Sequence, residues 1–105
     1  SGKARALLQV SAFQPVKRDF AFVVDDEMPA AKLIGAIRTA DRKLVAAVDV
    51  FDVFTGAALG EGKKSVALSV TLQPSGHTMT DAEIDAVAAK IVANVQKQTG
   101  GVLRG

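Results

Sequence analysis

The feature that most constrains the fold is a regular alternation of side chains between residues 65 and 73. In an extended strand, successive side chains point to opposite faces of the sheet. The apolar residues of this segment, which would share one face, are Val66, Leu68, Val70 and Leu72. The small residues between them, which would share the other face, are Ser65, Ala67, Ser69 and Thr71. Because only the apolar face needs burial, the segment predicts a strand in a sheet that is covered on one side.

Three other segments have the composition of strands. Residues 19–24 are rich in aromatic and β-branched side chains, and residues 44–54 are dominated by valine and phenylalanine until Gly56 interrupts the pattern. Residues 102–104 follow a glycine pair and predict a short closing strand.

Two segments have the spacing of helices. Pro29 suits the first helical position, and apolar residues at helical spacing continue this helix to about residue 40. Thr80 and Glu83 have the spacing of a capping box, in which each side chain accepts a hydrogen bond from the other residue's backbone N–H. An apolar stripe through residues 84–95 makes the segment after this box a long second helix.

The predicted order βαββαβ defines an α+β fold, the ferredoxin-like sandwich, with a four-stranded antiparallel sheet and both helices on one face. We expect a single domain of 105 residues, with residues 1–16 as a lead-in segment and residues 17–105 as the core. The lead-in either covers part of the open sheet face or wraps an edge, and the sequence does not choose between these arrangements.

Several kinds of site are excluded by the composition. The chain has no cysteine and one histidine, His77, which excludes disulfides, thiolate zinc sites and histidine-cluster metal sites. Glycine-rich phosphate loops and nucleophile elbows are absent, and His77 lies in a polar turn where we expect it to be solvated. Asp49 and Asp52 are three residues apart on a strand, so we expect them to face opposite sides. No apolar run approaches the roughly 20 residues that cross a bilayer.

Alternation also assigns residues of the first two strands to the open face. Ala21 falls on it in the first strand. In the second, burial of Phe51 and Val53 would turn Asp52 and Phe54 outward, provided that no bulge interrupts the strand. Such a face suits a nucleobase, because small side chains allow close approach, a ring offers stacking and polar groups read the base edge. The alternative is that Phe54 caps the end of the sheet against the lead-in segment.

Basic residues occur as two adjacent pairs in a chain of net charge +2. One pair contains Arg18 and the other is Lys63 and Lys64, and each precedes a predicted strand. Solvated strand ends are one interpretation. Two pairs at related places in a sheet also suggest an edge that faces phosphates, with Arg18, Lys63 and Lys64 as the contacting residues.

Six segments of the chain carry a family resemblance. They are residues 15–22, 50–56, 60–65, 72–74, 78–81 and 103–105. In this order they resemble the ferredoxin-fold anticodon-binding domain at the C-terminus of bacterial phenylalanyl-tRNA synthetase β subunits. Each segment is weak alone, but the six in register span nearly the whole chain and are specific together.

The resemblance implies the fold inferred above and a role in the cytoplasm. Domains of this family dock on the anticodon stem-loop of phenylalanine tRNA during aminoacylation, with no partner role for DNA or membranes. The reaction itself takes place in the partner α subunit of a heterotetramer. The resemblance therefore implies no catalytic residue and no cofactor in this domain, while the parent enzyme uses ATP and Mg²⁺.

The family's anticodon-reading positions fall on Ala21, Asp52, Phe54 and Ser65, which alternation also places on the open face. Phe54 would stack on a base beside Ala21, and Asp52 and Ser65 would hydrogen-bond to base edges. The family often has tyrosine at the position of Phe54, so a phenolic hydrogen bond is missing here.

Two other classes of function share this topology. The first is an ACT-like regulatory domain that binds a small molecule, although such domains often have a glycine near the first strand-to-helix junction and residues 25–29 contain none. The second is an assembly module that contacts only protein. Titration with amino acids and with a stem-loop distinguishes all three.

Overall fold

The computed structural model describes residues 14–74 and 76–104, and the predicted order of elements is confirmed within them. The elements are β1 (Val16–Asp25), α1 (Ala30–Ala40), β2 (Val45–Phe54), a 3-10 turn (Ala57–Leu59), β3 (Lys63–Leu72), α2 (Asp81–Thr99) and β4 (Val102–Leu103). Pro29 lies at the N-cap of α1 rather than at its first helical position. The two predicted arrangements of the lead-in concern residues that lie largely outside the described ranges.

Four strands of the described chain form one antiparallel sheet in the order β2-β3-β1-β4. The two central strands pair over their full length, from Val16 opposite Leu72 to Asp25 opposite Lys63. This pairing extends β1 three residues before the predicted start, because residues 16–18 lie opposite the end of β3. The closing strand is short and pairs with only Phe22 and Val23 of β1.

The core lies between the sheet and the two helices. The apolar face of β3 is buried, with Val66, Leu68, Val70 and Leu72 no more than 1% exposed. In α1 the buried residues are Leu33, Ala36 and Ile37, and in α2 they are Ile84, Val87, Ile91 and Val95. These side chains form one cluster with the apolar face of the central strands. Burying them is the main favourable contribution to folding, at about 1.5–3 kcal/mol for each large side chain.

Gly101 allows the end of α2 to approach β1 closely. A Cβ atom at this position would lie 2.9 Å from a methyl group of Val24 and 2.9 Å from one of Val95. The preceding Gly100 has a φ of 76° and ends the helix in the left-handed conformation. The two glycines therefore bring β4 back to the edge of β1.

The strand β2 departs from the alternation expected from the sequence. Its register steps from Val50 opposite Leu68 to Asp52 opposite Ala67, which leaves Phe51 unpaired in a bulge. Phe51 is 60% exposed and Val53 is 54% exposed, so the prediction that both are buried is wrong. Phe51 is extruded by the bulge. Val53 pairs with buried Val66 and shares its face, but it lies on an edge strand and remains exposed.

The same bulge brings two carboxylates onto one face. Asp49 pairs with Ser69 and Asp52 pairs with Ala67, and these partners are two residues apart on β3. Residues two apart on a strand share a face. The expectation that Asp49 and Asp52 face opposite sides is therefore wrong, because the inserted Phe51 changes the parity between them.

The predicted capping box at the start of α2 is present. The Thr80 hydroxyl accepts from the Glu83 backbone N–H at 3.2 Å, and the Glu83 carboxylate accepts from the Thr80 backbone N–H at 2.9 Å. His77 is exposed in its turn, as predicted, and its Nε2 atom lies 2.7 Å from the second Glu83 oxygen. The Thr80 N–H foremost, and then His77, lower the pKa of Glu83 from its usual value.

Neither helix of the described chain combines the length and apolar character needed to cross a membrane.

Candidate functional site

The open face of the sheet is built from rows of side chains on neighbouring strands. Residues paired across antiparallel strands point to the same face. Two adjacent rows occupy the centre of this face. One contains Phe54, Ser65 and Val23, and the next contains Asp52, Ala67 and Ala21. The four residues that the sequence assigned to this face, Ala21, Asp52, Phe54 and Ser65, therefore lie together on it.

Three of these four residues are accessible to solvent and one is buried. Asp52 is exposed, Phe54 is 47% exposed and Ala21 is partly exposed. Ser65 is only 4% exposed, although its row lies on the open face. The predicted hydrogen bond from Ser65 to a base edge therefore requires the side chains that cover it to move.

Arg104 lies on the same face and contacts Phe54. Its guanidinium carbon is 5.6 Å from the centroid of the Phe54 ring, which is the geometry of a cation–π interaction. The backbone N–H of Arg104 donates to the carbonyl oxygen of Ala21 at 2.6 Å, so the residue continues the pairing of β4 with β1. Sequence reasoning assigned no role to Arg104, since its contact is with a residue 50 positions earlier in the chain.

Gly56 makes room for the ring of Phe54. A Cβ atom at position 56 would lie 3.1 Å from the Cζ atom of the ring, a tight contact that would push the ring away by a few tenths of an ångström. Glycine at this position thus lets the Phe54 ring lie against the chain that follows β2.

The basic residues predicted to contact phosphates do not share one edge. The strands β1 and β3 are antiparallel, so their starting residues lie at opposite ends of the sheet, and the expectation of a common phosphate-facing edge is wrong. Arg18 points to the helix-covered face, where its Nη1 atom is 3.8 Å from Asp85 of α2. Lys64 also points there and donates to the carbonyl oxygen of Met28 at 2.9 Å.

Lys63 alone of these three residues lies on the open face. It pairs with Asp25 in the row beyond Ser65, and its ammonium group forms a salt bridge with the Asp25 carboxylate. Both side chains are substantially exposed, so solvent screens this ion pair and leaves the lysine available to other anions.

Among residues 14–74 and 76–104, the side chains of the open face do not form a basic surface. The cations there are Lys17, Lys63 and Arg104, and the carboxylates are Asp19, Asp25, Asp49 and Asp52. Across the described ranges, no group of three or more acidic or histidine side chains is arranged to hold a metal ion. Carboxylates accept hydrogen bonds, so the chemistry of this face suits a ligand that presents N–H donors.

A protein-family model matches most of this chain. The model of the ferredoxin-fold anticodon binding domain matches residues 11–104 of the chain. The chain belongs to the ferredoxin-fold anticodon-binding domain family. The resemblance and the ferredoxin-like fold inferred from the sequence are thereby confirmed.

Curated relatives of this anticodon-binding domain are much longer proteins. The phenylalanine–tRNA ligase beta subunit of Brucella abortus (strain 2308) is 53% identical over 105 residues, which is 100% of this chain and 13% of that protein. The beta subunit from Mesorhizobium japonicum is 55% identical over 103 residues, 98% of this chain and 13% of that protein. The one from Bradyrhizobium diazoefficiens is 53% identical over 102 residues, 97% of this chain and 13% of that protein. The chain thus spans about 13% of the length of these relatives.

Proposed function

We propose that this chain is the tRNA-binding domain of a phenylalanine–tRNA ligase β subunit, and that its open face docks on the anticodon stem-loop of phenylalanine tRNA. The observation that carries the proposal is the convergence of Ala21, Asp52, Phe54 and Ser65 in two adjacent rows of one sheet face. In the parent enzyme the aminoacylation site, with ATP and Mg²⁺, belongs to the α subunit, and the whole assembly acts in the cytoplasm.

An unpaired base is held between a ring and a floor of small side chains. Phe54 offers a half-exposed ring on which a base stacks, with a contribution of about 1–3 kcal/mol. Ala21 and Ala67, paired across the central strands, leave room for the base to lie close to the sheet. Stacking accepts any base, so it positions the loop without selecting its sequence.

Selectivity comes from Asp52. Its exposed carboxylate lies in the row beside Phe54 and accepts hydrogen bonds from amino or imino groups of a base edge. A base that presents only acceptors there would form no hydrogen bond with the carboxylate, and its acceptors and the carboxylate oxygens would repel each other. Asp52 therefore favours a base whose Watson–Crick edge donates.

Of the three basic residues predicted to contact phosphates, Lys63 is the one that can contact an RNA phosphate on this face. It is the open-face member of its pair, one row beyond Phe54 and Ser65. Arg18 and Lys64 face the helices and are left out of this contact.

Calorimetric titration of the chain with a phenylalanine anticodon stem-loop tests the proposal. The natural chain should bind the stem-loop, and Ala21→Arg should abolish binding because the long side chain fills the floor. The matched control is Ala89→Arg, which places the same residue on an exposed position of α2. Thermal unfolding of both variants checks that they fold.

Three outcomes contradict the proposal. Equal loss of binding in both arginine variants would show that the open face is not the site. Heat released by amino acids but not by the stem-loop would favour an ACT-like regulatory domain. No heat of binding with either ligand would favour an assembly module that contacts only protein.

A further inference from the structure

We propose that Arg104 and Phe54 form a gate over Ser65, in which the guanidinium occupies the stacking position of the base and leaves it when RNA binds. The identity of the incoming ligand rests on the proposed function above. The gate itself is a property of the free chain and can be tested without RNA.

The first support is topological. Phe54 belongs to β2 and Arg104 follows β4, and these are the two opposite edges of the sheet. Three inter-strand spacings separate them, which is about 14 Å. A cation–π contact of 5.6 Å between their side chains therefore passes over the two central strands.

The second support is the burial of Ser65. Its row neighbours are Phe54 on one side and Val23 on the other, and Ala21 and Ala67 in the next row are small. A serine among such neighbours on an open sheet face should be accessible, yet it is 4% exposed. Phe54 is its row neighbour and the Arg104 guanidinium lies over the Phe54 ring, so we assign the cover of Ser65 to these two side chains.

The third support is the state of the Ser65 hydroxyl. Among residues 14–74 and 76–104 no hydrogen-bond partner is found for it. Burying a hydroxyl without a partner is unfavourable, so the closed gate leaves a polar group that a ligand can satisfy on opening. The hydroxyl faces the position where a base edge arrives in the proposed function.

The strengths of the competing contacts make such a gate reversible. A cation–π contact at an exposed site favours the closed arrangement by only about two- to fivefold. Stacking of a base on the same ring favours the bound arrangement by about 5- to 150-fold. In water the gate therefore opens often but is closed most of the time, whereas a stacked base holds it open.

A single-thiol reporter measures the gate directly. The chain has no cysteine, so Ser65→Cys introduces a single thiol, somewhat larger than the buried hydroxyl but of the same shape. Its rate of alkylation by iodoacetamide reports how often the gate opens. Adding Arg104→Ala should raise this rate about three- to fivefold, because the closed arrangement loses its cation–π contact.

Arg18→Ala in the same Ser65→Cys background is the matched control. It removes an arginine that contacts Asp85 on the covered face, and the alkylation rate should stay unchanged. An equal rate with and without the Arg104 side chain would overturn the gate. So would equal acceleration by both arginine variants.

A second measurement leaves Ser65 intact. In the nuclear magnetic resonance spectrum of the free chain, Arg104→Ala should shift the ring protons of Phe54 and leave those of Phe20 and Phe22, which are buried on the other face, in place. Unmoved Phe54 resonances would overturn the gate even if the thiol variant fails to fold.

Repeating the alkylation measurement with the stem-loop present separates this inference from the proposed function. Adding the anticodon stem-loop to the Ser65→Cys, Arg104→Ala chain should slow alkylation, since a stacked base covers the thiol in place of the guanidinium. If Arg104→Ala accelerates alkylation but the stem-loop leaves the rate unchanged, the gate stands and the assigned ligand is wrong.

Discussion

Phe54 shows at the scale of one residue how an exposed ring is held in position. Gly56 leaves space against one end of the ring, and the Arg104 guanidinium lies at cation–π distance. The backbone of Phe54 pairs with Ser65 on β3. An aromatic side chain has only two rotatable bonds, so these neighbours keep it oriented at small entropic expense and ready to stack.

Replacing Phe54 tests the stacking role. Phe54→Ala should weaken stem-loop binding by about 1–3 kcal/mol, or roughly 5- to 150-fold in Kd, while Phe54→Tyr keeps the ring and should keep most of the affinity. Fluorescence anisotropy with a labelled stem-loop measures both. Phe51→Ala is the control, since Phe51 is a still more exposed ring in the bulge of the same strand. Comparable losses of affinity from Phe51→Ala and Phe54→Ala would show that the binding face is assigned wrongly.

At the scale of an element, α2 begins with a polar cluster that depends on charge. Glu83 accepts from the backbone of Thr80 and lies against His77, and these contacts lower its pKa. A lowered pKa in the folded chain means that the ionised carboxylate adds stability above its usual value of about 4.3. That stability is lost as the pH falls through the lower folded-state value.

The pH dependence of unfolding tests this cluster. Between pH 6 and pH 3 the natural chain should lose stability more steeply than Glu83→Gln, which cannot ionise, and urea denaturation at each pH measures the difference. Thr80→Ala should reduce stability at neutral pH by about 0.5–2 kcal/mol through loss of the N-cap. Parallel curves for the natural chain and Glu83→Gln would show that the carboxylate does not stabilise the helix.

At the scale of the whole molecule, the antiparallel sheet distributes charge between two faces. Lys63 and Lys64 are adjacent in sequence, yet one lies on the open face and the other donates to Met28 on the covered face. Arg18 is likewise turned toward α2. With few cations on the open face, RNA binding should depend only modestly on salt.

The salt dependence of stem-loop binding checks that conclusion. We expect the Arg104 guanidinium, once displaced from Phe54, to join Lys63 in contacting phosphate, and two such contacts predict a fall in affinity of roughly sevenfold between 50 and 200 mM salt. Lys63→Gln should reduce this slope by about half, and Lys64→Gln should leave it unchanged. A slope that corresponds to many more contacts, or one that Lys64→Gln lowers as much, would place the RNA elsewhere on the molecule.

Six segments of the sequence, taken together, indicated the family. Local patterns determined the order of elements, the apolar faces of β1 and β3 and the capping box of α2. Each depends on residues within a few positions of one another, where helical or strand periodicity is decisive. For the same reason, alternation placed Ala21, Asp52, Phe54 and Ser65 on the open face.

Only the tertiary structure decided the bulge at Phe51, the face on which each basic residue lies, the burial of Ser65 and the contact of Arg104 with Phe54. A bulge arises from the register between two strands, and the cover of Ser65 comes from opposite edges of the sheet. These features depend on groups far apart in the chain that folding brings together, so no local periodicity records them.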